Sequence, residues 1–361
     1  MSRAVRSVIL VVYCLAIFLV LDFTYSSLFF NVDKRPLHIR NSVYNHTLAA
    51  NFDGLAVWGE YLHRMHTNNF GLKDAAVRNV SLKPQGRRIL LMGDSFTEGI
   101  GLAFEDTFAG MLYLAGQEGA NKIEFLNAGV GAYSPTIYYA KTKDLLDRGL
   151  QFDEVVVFID MSDIRDEAVS YFCFDEIPEY RAHCRSADPI LGNKKGIGAW
   201  LQKKFTVTDS LRVMIKYKWR VLFRDADDIL AYSRLDGWGL PGRKFDDDFG
   251  TLGIEGAITR ARRHMQQLAD LLKPRGIALT VAVYPYAAQL NHGERNSRQI
   301  AIWREFCAAN CKKFINLFPA FFAAKEAHPS DWYERYFIFG DIHYNAAGNR
   351  VLFNELAKHL L

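Results

Sequence analysis

Five short apolar runs, rich in β-branched residues, recur along the chain at 88–92, 123–127, 154–159, 277–284 and 313–316. Helical periodicity fills the gaps at 107–118, 136–148 and 254–272. The last of these places Ile258, Ala261, Met265, Leu268 and Leu272 on one face and stops at Pro274-Arg275-Gly276. Runs of this length bounded by polar or glycine residues read as strands buried on both faces. Such strands pair in parallel only through long crossovers, and the crossover helices then cover the sheet. The expected fold is therefore α/β, a three-layer α/β/α sandwich around a central parallel sheet. Ligands of such sheets gather at the carboxyl ends of the strands, so the residues that follow each run carry the functional information.

The first run ends in Gly93-Asp94-Ser95, followed by helix-compatible residues. A strand that stops in a tight turn here presents a serine at the mouth of a helix. A serine hydroxyl needs a base to take its proton as it attacks. Near the other end of the chain, Gly340-Asp341-Ile342-His343 offers one. His343 can accept the proton and return it to a leaving group, while Asp341 can accept from the other ring nitrogen and fix the tautomer. The expected roles are Ser95 as nucleophile, His343 as base and Asp341 as orienting carboxylate. The Ser95 amide, at a helix start, is an expected oxyanion donor.

These two segments resemble the first and last blocks of the SGNH (GDSL-type) hydrolases, over residues 87–361. The resemblance implies a flavodoxin-like strand order and acyl-serine chemistry with neither metal nor organic cofactor. It also implies two further oxyanion donors. In the second block, Asn127-Ala128-Gly129-Val130-Gly131-Ala132-Tyr133-Ser134, the usual glycine falls at Ala132, whose amide serves if the local φ is negative. The third block, Gly-x-Asn-Asp in the family, stands here as Asp160-Met161-Ser162-Asp163, so Ser162 is expected to replace the asparagine donor. The Asp-x-His spacing resembles a subset that includes periplasmic exopolysaccharide O-acetyltransferases and ordinary esterases. The expected function is a serine esterase acting on O-acyl groups, foremost O-acetyl, of a glycan. The alternatives are an O-acetyltransferase with the same triad or a decayed domain that binds glycan or scaffolds. The expected partner is an acylated carbohydrate or other ester. A net charge of +4 is too small to argue for nucleic acid. Tyr284-Pro285-Tyr286 closes the fourth strand beside the site, as packing or as a stacking platform for a sugar. Asp166-Glu167 reads as a solvated or loop-anchoring pair.

The flanks imply location. Arg3 and Arg6 precede an unbroken apolar run over 8–21, and milder residues extend it across 4–29. A membrane span needs about 20 residues, and no small-residue cleavage site follows. An uncleaved single-pass anchor in the inner (cytoplasmic) membrane, over 1–29, fits better than a removed signal, with the catalytic domain in the periplasm. Residues 30–86 read as a stalk or collar. Residues 164–250 break the strand–helix alternation and read as an inserted helical cap over the site. Between Lys194 and Arg224 it carries nine basic residues and one acid, which suits a solvated amphipathic helix or a surface for anionic glycan or lipid headgroups. Two close cysteine pairs, Cys173 with Cys184 and Cys307 with Cys311, are disulfide candidates in an oxidising compartment, with unpaired thiols the alternative. Cys-x3-Cys without a second pair at ligand spacing argues against zinc.

Overall fold

The structure is a computed structural model that describes residues 2–29, 35–58, 61–118, 122–171, 174, 201, 204–223, 230, 237–239 and 246–361. Among the described residues ten strands are formed: β1 His38–Asn41, β2 Asn45–Leu48, β3 Asp53–Trp58, β4 Tyr61–Thr67, β5 Lys73–Asp74, β6 Arg87–Met92, β7 Ile123–Asn127, β8 Glu154–Ile159, β9 Ala278–Val283 and β10 Lys313–Asn316. β1 and β2 pair as a separate ribbon, and the other eight form one sheet in the order β10-β9-β8-β6-β7-β5-β4-β3. The five expected runs are its parallel core, β7-β6-β8-β9-β10. That order, with the first strand between the second and third, is the flavodoxin-like one.

The parallel strands are hydrophobic along their length because helices cover both sides. All six residues of β8 are buried, as are Ile89, Leu90, Leu91 and Met92 of β6. On one side the helix Pro135–Asp147 packs against Gly253–Leu272, which also touches Arg298–Asn310. On the other, Phe108–Glu118 packs against Ala346–Leu360, which meets Phe318–Ala327. Register aligns the carboxyl ends: Leu91 lies opposite both Asn127 and Val156. Gly93, Ala128 and Asp160 therefore emerge along one edge.

The segment read as a stalk is not one. β3, β4 and β5 extend the sheet antiparallel beyond β7. This hairpin alternates apolar with histidine and arginine: Arg64 is exposed and paired with Asp53 at 2.7 Å, while Ala56, Trp58, His63 and Met65, on the opposite face, line a cavity.

The N-terminal helix Arg3–Thr24 continues helically to Phe29. Within Arg3–Leu28 an 18-residue stretch with mean hydropathy 2.6 has no buried residue, and the helix is long and apolar enough to cross a membrane by length and composition. Asp22, the acid that interrupts its apolar character, accepts the N–H groups of Val207 and Thr208 at 3.1 and 2.8 Å and the Thr208 hydroxyl at 2.6 Å. It thereby caps the helix Thr206–Phe223. Within the insertion, Thr206–Phe223 thus packs at the end of the N-terminal helix, whereas Trp238 and Phe249 are buried against the α/β domain, Trp238 donating its indole N–H to Met161 O at 2.9 Å. Cys307 and Cys311 are joined by a disulfide. Cys173 and Cys184 lie outside the described residues.

Candidate active site

The turn that presents Ser95 depends on glycine. A Cβ at Gly93 would sit 2.1 Å from Thr97 Oγ1, so only glycine lets β6 turn straight into the short helix Ser95–Glu98. Asp94 caps that helix, its Oδ1 accepting the Phe96 N–H at 3.0 Å. Ser95 is left in the first turn, where a helix has no internal partner for its N–H.

His343 is presented by a loop tied down at both ends. Ile338 N–H donates to His343 O at 2.8 Å, and Tyr333 OH donates to Asp341 O at 2.9 Å. Asn345 then starts the last helix, its Oδ1 accepting from Ala347 and Gly348 N–H at 2.9 and 3.1 Å. Across 248 residues of sequence, His343 Nε2 lies 2.8 Å from Ser95 Oγ, while Nδ1 lies 2.6 Å from Asp341 Oδ1. Nδ1 can then donate to the carboxylate and leave Nε2 as acceptor for the serine proton. Asp341 Oδ1 also takes the His343 N–H at 3.1 Å, and Oδ2 takes the Trp58 indole N–H at 2.7 Å. Burial pushes the Asp341 carboxyl up, but His343's charge and hydrogen bonds, with Trp58's, outweigh it and hold the group below the usual carboxylate range. The rings of Phe96 and Trp58 lie against the imidazole at 4.8 and 5.5 Å.

The oxyanion side departs from expectation in two places. Ala132 has φ +60° rather than a negative value. The chain keeps the left-handed conformation a glycine would adopt there, at a cost of about 1 kcal/mol for a residue with a Cβ. The expectation that Ser162 supplies a donor is not met. Its N–H and hydroxyl both donate to Asp160 Oδ1 at 2.7 Å, which turns the side chain back toward the end of β8. Asp160, standing at the family's glycine, is what captures it. Among the described residues, the Ser95 and Ala132 amides remain as donors without a protein partner, since the neighbouring Gly131 N–H is held by Glu98 Oε2 at 2.7 Å.

Below the serine, Asp94, Asp160 and Asp163 form a buried acidic cluster. Tyr284 OH lies 3.1 Å from both Asp94 Oδ1 and Asp160 Oδ2, and Tyr138 OH donates to Asp163 at 2.6 Å. Burial first, then Asp160's charge, pushes Asp94 and Asp163 well above the usual range. Tyr284 and Tyr286 are buried in this layer, so they are packing and hydrogen-bonding residues rather than a stacking platform. Glu167 is also fully buried. It anchors Ser134, Thr136 and His264 at 2.6 to 3.0 Å.

A cavity of about 510 Å³ opens on Ser95, His343, Gly131 and Ala132. Its other walls come from the N-terminal strands and their surroundings: Leu55, Trp58 and Met65 on the apolar side, His38, His63 and Lys73 on the polar side. None of the described residues of 164–250 lines it. Burial lowers Lys73 to about 8 and His63 to about 4. Reading 30–86 as a stalk missed all of these residues. Two runs, 53–58 and 61–67, separated by Gly59-Glu60, are a hairpin signal that could have found them.

No family profile matches the chain, and no curated protein matches it in sequence. Solved structures do. A catalytic mutant of Axe2, an acetylxylan esterase from Geobacillus stearothermophilus, is 11% identical over 77% of this chain and 95% of its own, with a TM-score of 0.42. A member of the lipolytic protein G-D-S-L family from Veillonella parvula is 10% identical over 76% and 98%, at 0.38. TesA is 13% identical over 75% and 97%, at 0.40.

Proposed function

We propose that this chain is an SGNH-type serine esterase that removes O-acyl groups, foremost O-acetyl, from a glycan through an acyl-serine intermediate. The observation that carries the reading is the relay Asp341–His343–Ser95, with contacts of 2.6 and 2.8 Å, at the carboxyl edge of a parallel sheet. Ser95 Oγ attacks the ester carbonyl carbon as its proton passes to His343 Nε2. Asp341 stabilises the imidazolium that forms. The carbonyl oxygen, now an anion, accepts from the Ser95 and Ala132 amides. Collapse breaks the bond to the alcohol, which leaves with the proton from His343. Water then attacks the acyl-serine, giving its proton to His343, and the second collapse releases the carboxylic acid and restores Ser95.

In this reading the N-terminal helix is a membrane anchor that holds the domain outside the cytoplasm. Asp22, satisfied by the N–H groups of another helix, sits where such a span would meet water. The disulfide at Cys307–Cys311 suits an oxidising compartment. Hydrolysis of p-nitrophenyl acetate and acetylated polysaccharide by the full chain in detergent micelles is the test. Activity that vanishes in Ser95→Ala supports the reading, and activity that survives it removes the reading.

A further inference from the structure

The loop that carries the Ala132 amide is held from several sides. Its start is fixed to the nucleophile turn: Ala128 N–H donates to Leu91 O at 2.8 Å and Val130 N–H to Gly93 O at 3.2 Å. Gly129 packs bare against the serine helix, where a Cβ would lie 2.7 Å from Glu98 N. Beyond that point the Gly131–Ala132 peptide is gripped at its carbonyl. His46, fully buried on β2, places Nε2 at 2.8 Å from Gly131 O. Its strand is tied to the same loop by Tyr133 OH, which donates to His46 O at 2.7 Å. Tyr171 OH donates to Ala132 O.

A trans peptide is planar, with its C=O and N–H pointing in opposite directions. His46 is outside the lining of the catalytic cavity, whereas Gly131 and Ala132 are part of it. A hydrogen bond that draws the Gly131 carbonyl toward His46 therefore turns the Ala132 N–H the other way, into the cavity shared with Ser95. We infer that His46 is a positioning residue for the reaction at Ser95: by holding the Gly131 carbonyl it fixes the direction of the Ala132 oxyanion donor. Glu98 completes the grip by occupying the Gly131 N–H, so the loop cannot present that amide instead. Glu98 is in turn paired with His38, Nε2 to Oε1 at 3.3 Å. Burial lowers His46 to about 4, so the ring is neutral and carries one proton at neutral pH. Gly131 O can only accept, so it takes that proton from Nε2, while Nδ1, 2.9 Å from the Asn45 side chain, accepts from its amide turned to donate. The left-handed φ at Ala132 is the conformation such a grip sustains.

This inference rests on the esterase reading above, and its test separates the two. The full chain in micelles is compared as wild type, His46→Phe, which keeps a ring but loses the donor, and His46→Gln, whose amide N–H reaches the same place. Turnover of p-nitrophenyl acetate is resolved into kcat and KM, with thermal unfolding measured alongside. In His46→Phe, kcat falls about tenfold to a hundredfold with KM held within about twofold, because a misdirected donor fails only when the anion forms. His46→Gln recovers most of that loss. A His46→Phe that keeps its kcat overturns the inference and leaves the esterase reading standing. So does a loss shared equally by both variants and matched by their fall in Tm. A wild type that neither turns over nor reacts with a fluorophosphonate removes the esterase reading, and this one with it.

Discussion

Trp58→Phe is the sharpest probe of how the N-terminal hairpin enters the chemistry. The indole N–H reaches Asp341 Oδ2 at 2.7 Å, on the carboxylate that orients His343. A hydrogen bond to a charged acceptor contributes about 1.5–3 kcal/mol. Trp58 is 37% exposed, so water can return to Oδ2 in the variant and recover part of this. A net loss of about 1–2 kcal/mol at the transition state lowers kcat by roughly 5- to 30-fold. Phenylalanine retains an aromatic wall on the cavity, so KM moves little. The specificity of the argument lies in a double-mutant cycle with Asp341→Asn, read as the rate at which a fluorophosphonate phosphonylates the serine with loss of fluoride. If Trp58 acts through Asp341, removing it costs little once Asp341 has gone. Equal losses in both backgrounds would refute the reasoning and assign Trp58 to substrate contact alone.

Two predictions concern pH. Burial raises the Asp166 carboxyl to about 7. An acid whose folded pKa lies above its unfolded one binds more protons when folded, so its contribution to stability declines as pH rises from about 4 to about 7. Asp166→Asn removes that penalty: it stabilises at pH 8, by up to about 4 kcal/mol for a three-unit shift, and has little effect at pH 4. Thermal unfolding at the two pH values checks this, and an equal change at both contradicts it. Glu167 behaves in the opposite sense. Burial raises it, but hydrogen bonds and charge from His264, with Ser134 and Thr136, bring it below the usual range. Its stabilisation is present above the unfolded pKa and lost as pH falls through the folded one. Glu167→Ala strands its buried partners at a cost of about 3–5 kcal/mol, visible as a large fall in Tm at pH 7 that shrinks toward pH 3.

The parallel core was legible because buried strands and their crossovers leave an unambiguous pattern. Val155, Val156 and Val157 can sit only in a covered sheet, and the five runs fell within a residue of β6 to β10. Ser95, Asp341 and His343 were legible because each lies in a local turn whose residues declare it. What escaped depends on partners distant in sequence. His46 and Trp58 read as parts of a polar linker, and nothing within 20 residues of either says that the loop at 131 or the carboxylate at 341 will be its partner. Ser162 shows the converse: its place in the third block was visible, but its hydroxyl is taken by Asp160 two residues earlier. Ala132 kept glycine's backbone while losing glycine's identity, so its φ could not be judged from its side chain.

The relay is tested most directly by mapping the covalent adduct that the full chain forms with a fluorophosphonate. The account predicts a single modification on Ser95, absent in Ser95→Ala and slowed by orders of magnitude in His343→Ala. A modification on another residue, or labelling of Ser95→Ala at the wild-type rate, would contradict it.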